Sequence, residues 1–203
     1  IMPALFLFVC FTIAPLIASA VYSFFDYDGI GAMTFKGFGN YIKMFTKDHY
    51  MLTAVKNSIL LVVGSLLIQL PISLLLALVL SRGVKGEQFF RTVYFLPVVI
   101  SSMVIGQLWM KMFNSDYGLL NSLIRLFGNP DYHYSWLSTP KTAFFSTMVP
   151  AIWQYVGYHM LIFYAGIKSI SPDYYEAAQI DGASRRQTTF KITLPLLAPV
   201  IKT

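Results

Sequence analysis

Long apolar stretches separated by polar connections dominate the hydrophobic pattern of this chain. Four of them contain no Asp, Glu, Lys or Arg: Ile1–Phe25, Ser58–Leu80, Thr92–Met110 and Ala143–Ile167. Each has close to or more than the roughly 20 residues that an α-helix needs to cross a bilayer. A fifth stretch begins near Leu194, close to the end of the sequence. The pattern predicts an all-α, polytopic transmembrane bundle with four full spans and the start of a fifth.

The composition agrees with a chain whose solvent is mainly lipid. Hydrophobic residues make up 56% of the 203 residues and charged residues only 12%, and the mean hydropathy is +0.61. A soluble domain carries about twice that charged fraction, roughly 25%, so a soluble globule and a disordered chain are both excluded. The net charge of +6 comes from basic residues spread singly along the connections. That distribution favours lipid head-group contacts over binding of nucleic acid.

The first stretch has two interpretations on sequence grounds. Ala18-Ser19-Ala20 resembles a signal-peptidase site. No basic segment precedes it, however, and about 20 apolar residues are long for the apolar region of a signal peptide. We therefore favour a transmembrane helix. Because the sequence starts at Ile1 and stops at Thr203 inside an apolar stretch, we interpret residues 1–203 as a single transmembrane domain within a longer polypeptide.

Basic residues near the span ends orient the predicted bundle. Lys and Arg are denser in the connections Ser81–Arg91 and Lys168–Thr193 than in the long connections Asp26–Lys56 and Lys111–Pro140. Connections rich in Lys and Arg stay in the cytoplasm. We expect a cytoplasmic N-terminus, two long extracytoplasmic loops and a cytoplasmic segment 168–193. Pro71, Pro97 and Pro150 fall inside the predicted spans, where they either kink single helices or shape a cavity between helices.

The connection after the fourth span is patterned as two short helices joined by a turn. Ser171 before Pro172 is a capping hydroxyl followed by proline at the first helical position. Gly182 supplies a stop, and Ser184 with Gln187 reads as a capping box for the second helix. The sequence predicts a cytoplasmic helix–turn–helix over about residues 171–193.

The same segment carries a longer pattern with fixed spacing. Its residues are Glu176-Ala177-Ala178, Asp181-Gly182-Ala183, Phe190, Ile192, Leu194-Pro195 and Pro199. This pattern resembles the EAA signature of the membrane subunits of binding-protein-dependent ABC importers. Other stretches match the carbohydrate-uptake branch of that family, which includes maltose and glycerol-phosphate permeases: Arg91-Thr92, Phe95-Leu96-Pro97, Phe113-Asn114, Tyr117–Asn121, Trp153, Gly157, Ala165-Gly166 and Ile170. The resemblance covers nearly the whole chain.

The resemblance implies a coupling role for this segment, because in that family the helix–turn–helix docks in a groove of a cytoplasmic ATPase and transmits its closure to the membrane helices. The candidate coupling residues are Glu176, Ala177, Ala178, Asp181, Gly182, Arg185 and Arg186. For the two arginines, contact with lipid phosphate and contact with an acidic partner surface are both open. Further implied partners are a related but non-identical second permease, an ATPase dimer that binds Mg-ATP, and an extracytoplasmic solute-binding protein. The setting is a bacterial or archaeal plasma membrane.

The chain shows no energy source of its own. It has no G-x-x-x-x-G-K-[ST] motif to bind ATP, and its predicted spans contain no carboxylate or lysine for an ion relay. We therefore expect a non-enzymatic subunit without a cofactor or metal, forming half of the path for a sugar or oligosaccharide. A secondary transporter driven by an ion gradient and a non-transporting membrane scaffold are the alternatives.

Polar and aromatic side chains within the spans are candidates for the solute path. An uncharged solute such as a sugar needs hydrogen-bonding groups and aromatic faces rather than buried charge. The candidates are Gln154, Tyr155, Tyr158 and His159 in the fourth span and Gln107 in the third. Packing between helices or anchoring at the interface would also account for each of them. His159 has no second ligand at metal-binding spacing, and no catalytic triad or carboxylate pair can be assembled within the spans.

Overall fold

The computed structural model describes residues 2–201, of which most are helical. Helices account for 74% of the chain, in agreement with the all-α prediction. The chain forms two compact units with a boundary between Ile59 and Leu60. The prediction of a single domain over residues 1–203 stays a prediction.

The first unit begins with a long apolar helix. It contains α1 (Met2–Tyr22), β1 (Phe25–Asp26), β2 (Thr34–Phe35), α2 (Gly39–Thr46) and the start of α3 (His49–Leu80). The two strands form a small antiparallel hairpin that the sequence did not predict. The rings of Phe25 and Phe35 pack edge to face at 5.3 Å across it, and Lys36 forms an ion pair with Asp26. Asn40 closes the turn by donating to the carbonyl of Ser23 at 2.9 Å.

The second unit is built around one central helix. It contains the rest of α3, α4 (Glu87–Val99), α5 (Ser102–Met112), α6 (Leu119–Leu126), α7 (Pro140–Lys168), α8 (Pro172–Ile180), α9 (Arg185–Thr188) and α10 (Leu194–Ile201). Helix α7 packs against α3, α4 and α10. The buried core between them consists of Ala77, Leu80, Met160, Phe163, Ile167 and Leu197. Gly157 allows the closest approach, since a Cβ there would lie 1.8 Å from the carbonyl oxygen of Tyr94 on α4.

The structure supports part of the predicted span count. Among residues 2–201, α1 and α3 are long and apolar enough to cross a membrane, and α4 with α5 makes a third span if the bent pair is taken as one. Helix α7 is long enough with 29 residues, but its polar side chains lower its mean hydropathy and keep it out of that set. The predicted total of four full spans therefore stays a prediction.

The predicted third span, Thr92–Met110, is wrong as a continuous helix. The chain breaks between α4 and α5 and bends by 98°. Ile100 and Ser101 adopt extended backbone conformations, with ψ of 137° and 134°. The β-branched run Val98-Val99-Ile100 lowers helix propensity, and the two serines that follow favour the start of a new helix over the interior of an old one.

Three helices widen into a π turn just before a proline. The π segments are Val9–Ile13, Ser65–Gln69 and Thr189–Thr193, and each ends two residues before Pro15, Pro71 or Pro195. In each case the residue preceding the proline donates its N–H to the carbonyl five residues earlier. A proline ring clashes with the carbonyl of an ordinary helical turn, so the wider turn accommodates the ring within a continuous helix.

Candidate functional site

The predicted helix–turn–helix is present with its predicted caps. The Ser171 hydroxyl accepts a hydrogen bond from the N–H of Asp173 at 3.3 Å. At the other end of α8, Gly182 has φ of +70°. Its N–H donates to the carbonyl of Gln179 at 3.1 Å, and the next N–H donates to the carbonyl of Ala178 at 2.9 Å. This pair of bonds is a Schellman motif, which fixes the direction in which the chain leaves α8.

The second helix starts with the predicted capping box. The N–H of Gln187 donates to the Ser184 hydroxyl at 3.3 Å, and the N–H of Ser184 donates to the Gln187 side chain at 2.8 Å. Helix α9 then continues through the π turn into α10 without a break. The hydroxyls of Tyr175 and Thr193 lie 3.4 Å apart and connect α8 to that turn. The two helices therefore form one braced elbow.

Most candidate coupling residues lie on the surface of this elbow. Ala178 is buried at 6% exposure, whereas Glu176, Ala177, Asp181, Gly182, Arg185 and Arg186 are exposed. Close helix packing thus explains the small side chain only at Ala178. Large apolar side chains accompany the exposed set: Ile180 is 86% and Phe190 is 61% exposed. Phe190 therefore stands uncovered within the described part of the chain, whereas Ile192 and Leu194 are half-buried.

The two basic connections meet at the same end of the second unit. Lys168 at the end of α7 donates its Nζ to the carbonyl of Ser81 at 2.9 Å. Arg82 places Nη2 3.5 Å from the Thr189 hydroxyl. The elbow and the α3–α4 connection therefore lie side by side, as the predicted topology requires.

A charged cluster that the sequence did not predict ties α4 to α7 at this end. The Tyr164 hydroxyl donates to the carboxylate of Glu87, and Arg91 lies 3.7 Å from the same carboxylate. The Arg91 guanidinium also sits 4.5 Å from the centre of the Tyr164 ring, a cation–π contact. We call Glu87, Arg91 and Tyr164 the α4–α7 clamp. Glu87 and Arg91 form a local i,i+4 pair, but Tyr164 lies 77 residues from Glu87, so no local pattern indicates the link to α7.

The candidate path residues are only partly brought together. His159 Nδ1 lies 2.9 Å from Gln69 Nε2 of α3 and 3.0 Å from the carbonyl oxygen of Tyr155. The ring of Tyr158 packs edge to face on His159 at 5.3 Å. Gln154 is buried, whereas Tyr155, Tyr158 and Gln107 are exposed. The sequence missed Ser73, which is fully buried and donates to the carbonyls of Gln69 and Val156 at 2.8 and 2.9 Å.

A buried amide organises the opposite end of the second unit. Asn121 on α6 has no exposed surface. Its Nδ2 donates to the carbonyls of Ser115 and Tyr134, both at 2.9 Å, and its Oδ1 accepts from the Trp136 indole at 2.9 Å. The Trp136 carbonyl in turn accepts from Ser146 of α7 at 3.1 Å. The predicted extracytoplasmic loop is therefore folded back onto α7.

Most of the second unit matches a known protein family. The family described as binding-protein-dependent transport system inner membrane component matches residues 69–203. The chain belongs to this family. The match begins at Gln69 and contains the elbow, the α4–α7 clamp and all candidate path residues. The family resemblance drawn from the EAA-like pattern is thereby confirmed.

Individual relatives extend the similarity to nearly the whole chain. The chain is 37% identical over 202 residues to the probable ABC transporter permease protein YesP of Bacillus subtilis, which covers 99% of this chain and 64% of YesP. It is also 37% identical over 178 residues to the xylose/arabinose import permease protein XacH of Haloferax volcanii, covering 86% of this chain and 55% of XacH. The chain thus spans less than two thirds of the length of either relative.

A solved structure shows the same fold. A crystal structure of a bacterial alginate ABC transporter, in complex with an alginate pentasaccharide-bound periplasmic protein, contains a chain that matches with a TM-score of 0.83 and 28% sequence identity. The match covers 98% of this chain and 66% of that chain. The helical fold of this family member is therefore that of an ABC transporter permease.

The hydrogen bond between Tyr164 and Glu87 in the clamp is expected to stabilise the fold of this permease. Tyr164→Phe removes the hydroxyl that donates to Glu87, and we expect it to lower the free energy of unfolding by about 1.5 kcal/mol, as for a hydrogen bond to a charged group. Reversible unfolding in mixed micelles measures the change. Tyr174→Phe, at an exposed position on α8, is the control. An equal loss in both variants would mean that the hydroxyl of Tyr164 contributes nothing specific.

Proposed function

We propose that this chain is the membrane-spanning subunit of an ATP-driven, binding-protein-dependent importer for a sugar or oligosaccharide. It forms half of the translocation path and couples to a cytoplasmic ATPase through Glu176, Ala177, Ala178, Asp181, Gly182, Arg185 and Arg186. The observation that carries the proposal is the braced elbow. It exposes Ile180 and Phe190, and exposed apolar side chains of this size mark surfaces that meet a partner.

The brace supports transmission of force through the elbow. Helix α8 is fixed to the π turn by Tyr175 and Thr193, and that turn runs directly into α10. Leu197 of α10 lies in the core against α7. A displacement of the elbow by a closing ATPase would therefore act on the helix that carries the candidate path residues.

The path chemistry supports an uncharged, polar solute. Gln154, Tyr155, Tyr158, His159 and Gln107 offer amide, hydroxyl and ring groups without a permanent charge, which suits the hydroxyls and apolar faces of a sugar. The xylose/arabinose import permease of Haloferax volcanii carries a name consistent with this class.

We also propose how the chain is oriented in the membrane and with which subunits it assembles. The chain crosses a bacterial or archaeal plasma membrane with four full spans and the start of a fifth, and its N-terminus lies in the cytoplasm. It pairs with a related, non-identical permease, an ATPase dimer that binds Mg-ATP, and an extracytoplasmic solute-binding protein. The chain itself carries no cofactor and does not bind nucleic acid.

Co-purification with the ATPase tests the proposal. The double variant Glu176→Ala, Gly182→Val removes an exposed carboxylate and forces a side chain into a position with φ of +70°, which only glycine adopts readily. We expect loss of the co-purified ATPase and at least a tenfold drop in ATP-dependent solute uptake in vesicles. Gly128→Val, also at a positive φ but in the opposite loop, is the control.

Two outcomes would contradict the proposal. One is full assembly and normal ATP-dependent uptake by the double variant. The other is uptake that persists without ATP and collapses with an uncoupler, which would establish the ion-gradient transporter instead.

A further inference from the structure

We propose that the cavity beside the elbow binds a phosphate-type anion through Arg82, Lys168 and Arg185. The cavity has a volume of about 870 Å³ and lies between the ends of α3 and α7 and the helices α8 and α9. All three cationic residues line it. The proposal concerns the binding chemistry of this chain alone and does not rest on the transport function.

Hydrogen bonds connect the three chain segments that carry these cations. Lys168 donates to the carbonyl of Ser81, the residue directly before Arg82, at 2.9 Å. Arg82 Nη2 lies 3.5 Å from the Thr189 hydroxyl. That hydroxyl donates to the carbonyl of Arg185 at 2.9 Å. Three separate chain segments therefore contribute one cation each to the lining of the cavity.

These cations have no acidic partner in the described part of the chain. Across residues 2–201, no carboxylate oxygen lies within 4.0 Å of a side-chain nitrogen of Arg82, Lys168 or Arg185. Glu176 also lines the cavity but forms no ion pair with them, so the lining carries three positive charges and one negative charge. Neighbouring like charges repel each other, and a bound anion offsets that repulsion.

The lining suits a tetrahedral oxyanion. Arginine and lysine side chains are the usual donors to phosphate oxygens, whereas the hydroxyls around the same cavity, those of Ser81, Thr188, Thr189 and Thr193, already donate to backbone carbonyls. The ligand class is therefore a phosphate group. Its source is either an anionic lipid head group, because Arg82 and Lys168 follow the ends of apolar helices, or soluble phosphate.

Phosphate titration of the purified full-length permease in detergent tests the site. We expect inorganic phosphate to raise the melting temperature in a saturable way, beyond sodium chloride of matched ionic strength, or native mass spectrometry to detect more retained phosphatidylglycerol than phosphatidylcholine. A phosphate effect without lipid enrichment identifies the soluble anion. Lipid enrichment that phosphate does not reverse identifies the head group.

Substitutions of residues that line the cavity should weaken or strengthen phosphate binding according to the charge that they remove. Arg82→Gln should weaken phosphate binding, or reduce phosphatidylglycerol retention, by about tenfold, as expected for loss of one charge-assisted contact. Glu176→Gln should strengthen it, because the opposing carboxylate charge is removed. Lys85→Gln is the matched control, since Lys85 is an exposed cation of the same connection that does not line the cavity.

Two outcomes overturn the proposal, one measured on the wild-type protein and one on the variants. It is overturned if the wild-type permease shows neither a phosphate effect beyond matched salt nor any preference for phosphatidylglycerol. It is also overturned if Arg82→Gln and Lys85→Gln reduce binding equally while circular dichroism shows both variants folded. A variant that fails to fold is replaced by Arg82→Lys, which keeps the charge and should retain most of the binding.

Discussion

Gly157→Ala is expected to lower the free energy of unfolding of this permease by about 3 kcal/mol, the upper range for an overpacked core. A Cβ at this position would lie 1.8 Å from the carbonyl oxygen of Tyr94 and 2.9 Å from the backbone nitrogen of Phe95. Both groups belong to the backbone of α4, so no side chain can rotate out of the way. The smallest possible addition therefore separates α4 from α7.

Unfolding in mixed micelles measures this loss, and a second glycine in a helix provides the matched control. Gly106→Ala on α5 places its Cβ where no atom lies within 4 Å. Alanine favours a helix over glycine by up to about 1 kcal/mol, so this variant should be unchanged or more stable. Equal stability losses in the two variants would show that the contact between α4 and α7 is not tight.

Asn121→Ala is expected to lower the free energy of unfolding by about 3 kcal/mol, because it leaves two carbonyls and one indole N–H without their buried partner. Its three hydrogen bonds are each 2.9 Å long. The loop 113–139 should lose its order first, since the amide connects Ser115, Tyr134 and Trp136 within that loop.

Hydrogen exchange of the loop amides together with thermal unfolding separates this effect from a general loss of stability. Exchange should accelerate between residues 113 and 139 and stay unchanged in α3 and α10. Asn129→Ala, at an exposed position in the same loop, should alter neither measurement. Unchanged protection of the loop in Asn121→Ala would contradict the assigned role of this amide.

Features set by neighbouring residues could be predicted from the sequence. Ser171, Gly182 and the Ser184–Gln187 pair act within a few positions of themselves, through a capping hydroxyl, a positive φ and a capping box. Their geometry depends little on the rest of the fold. The sequence therefore predicts the caps of the elbow, whereas its second helix does not end near Thr193 but continues into α10.

Features set by distant residues were missed. The α4–α7 clamp joins Glu87 to Tyr164, and the buried amide of Asn121 has partners up to 15 residues away. No periodicity connects such positions. The sequence analysis also did not predict the helix break at Ile100, although the signal for that break is local. The apolar character of Thr92–Met110 indicated one span, whereas the β-branched run and the serine pair indicated an interruption, and the interruption prevailed.

The corner at Ile100 and Ser101 limits what can surround the α4–α5 pair in a bilayer. The hydrocarbon core cannot form hydrogen bonds with the backbone N–H and C=O groups that a corner leaves unpaired. Water or another helix therefore has to contact these groups. The 98° bend between α4 and α5 therefore has to face water or neighbouring protein rather than lipid in a membrane-spanning pair.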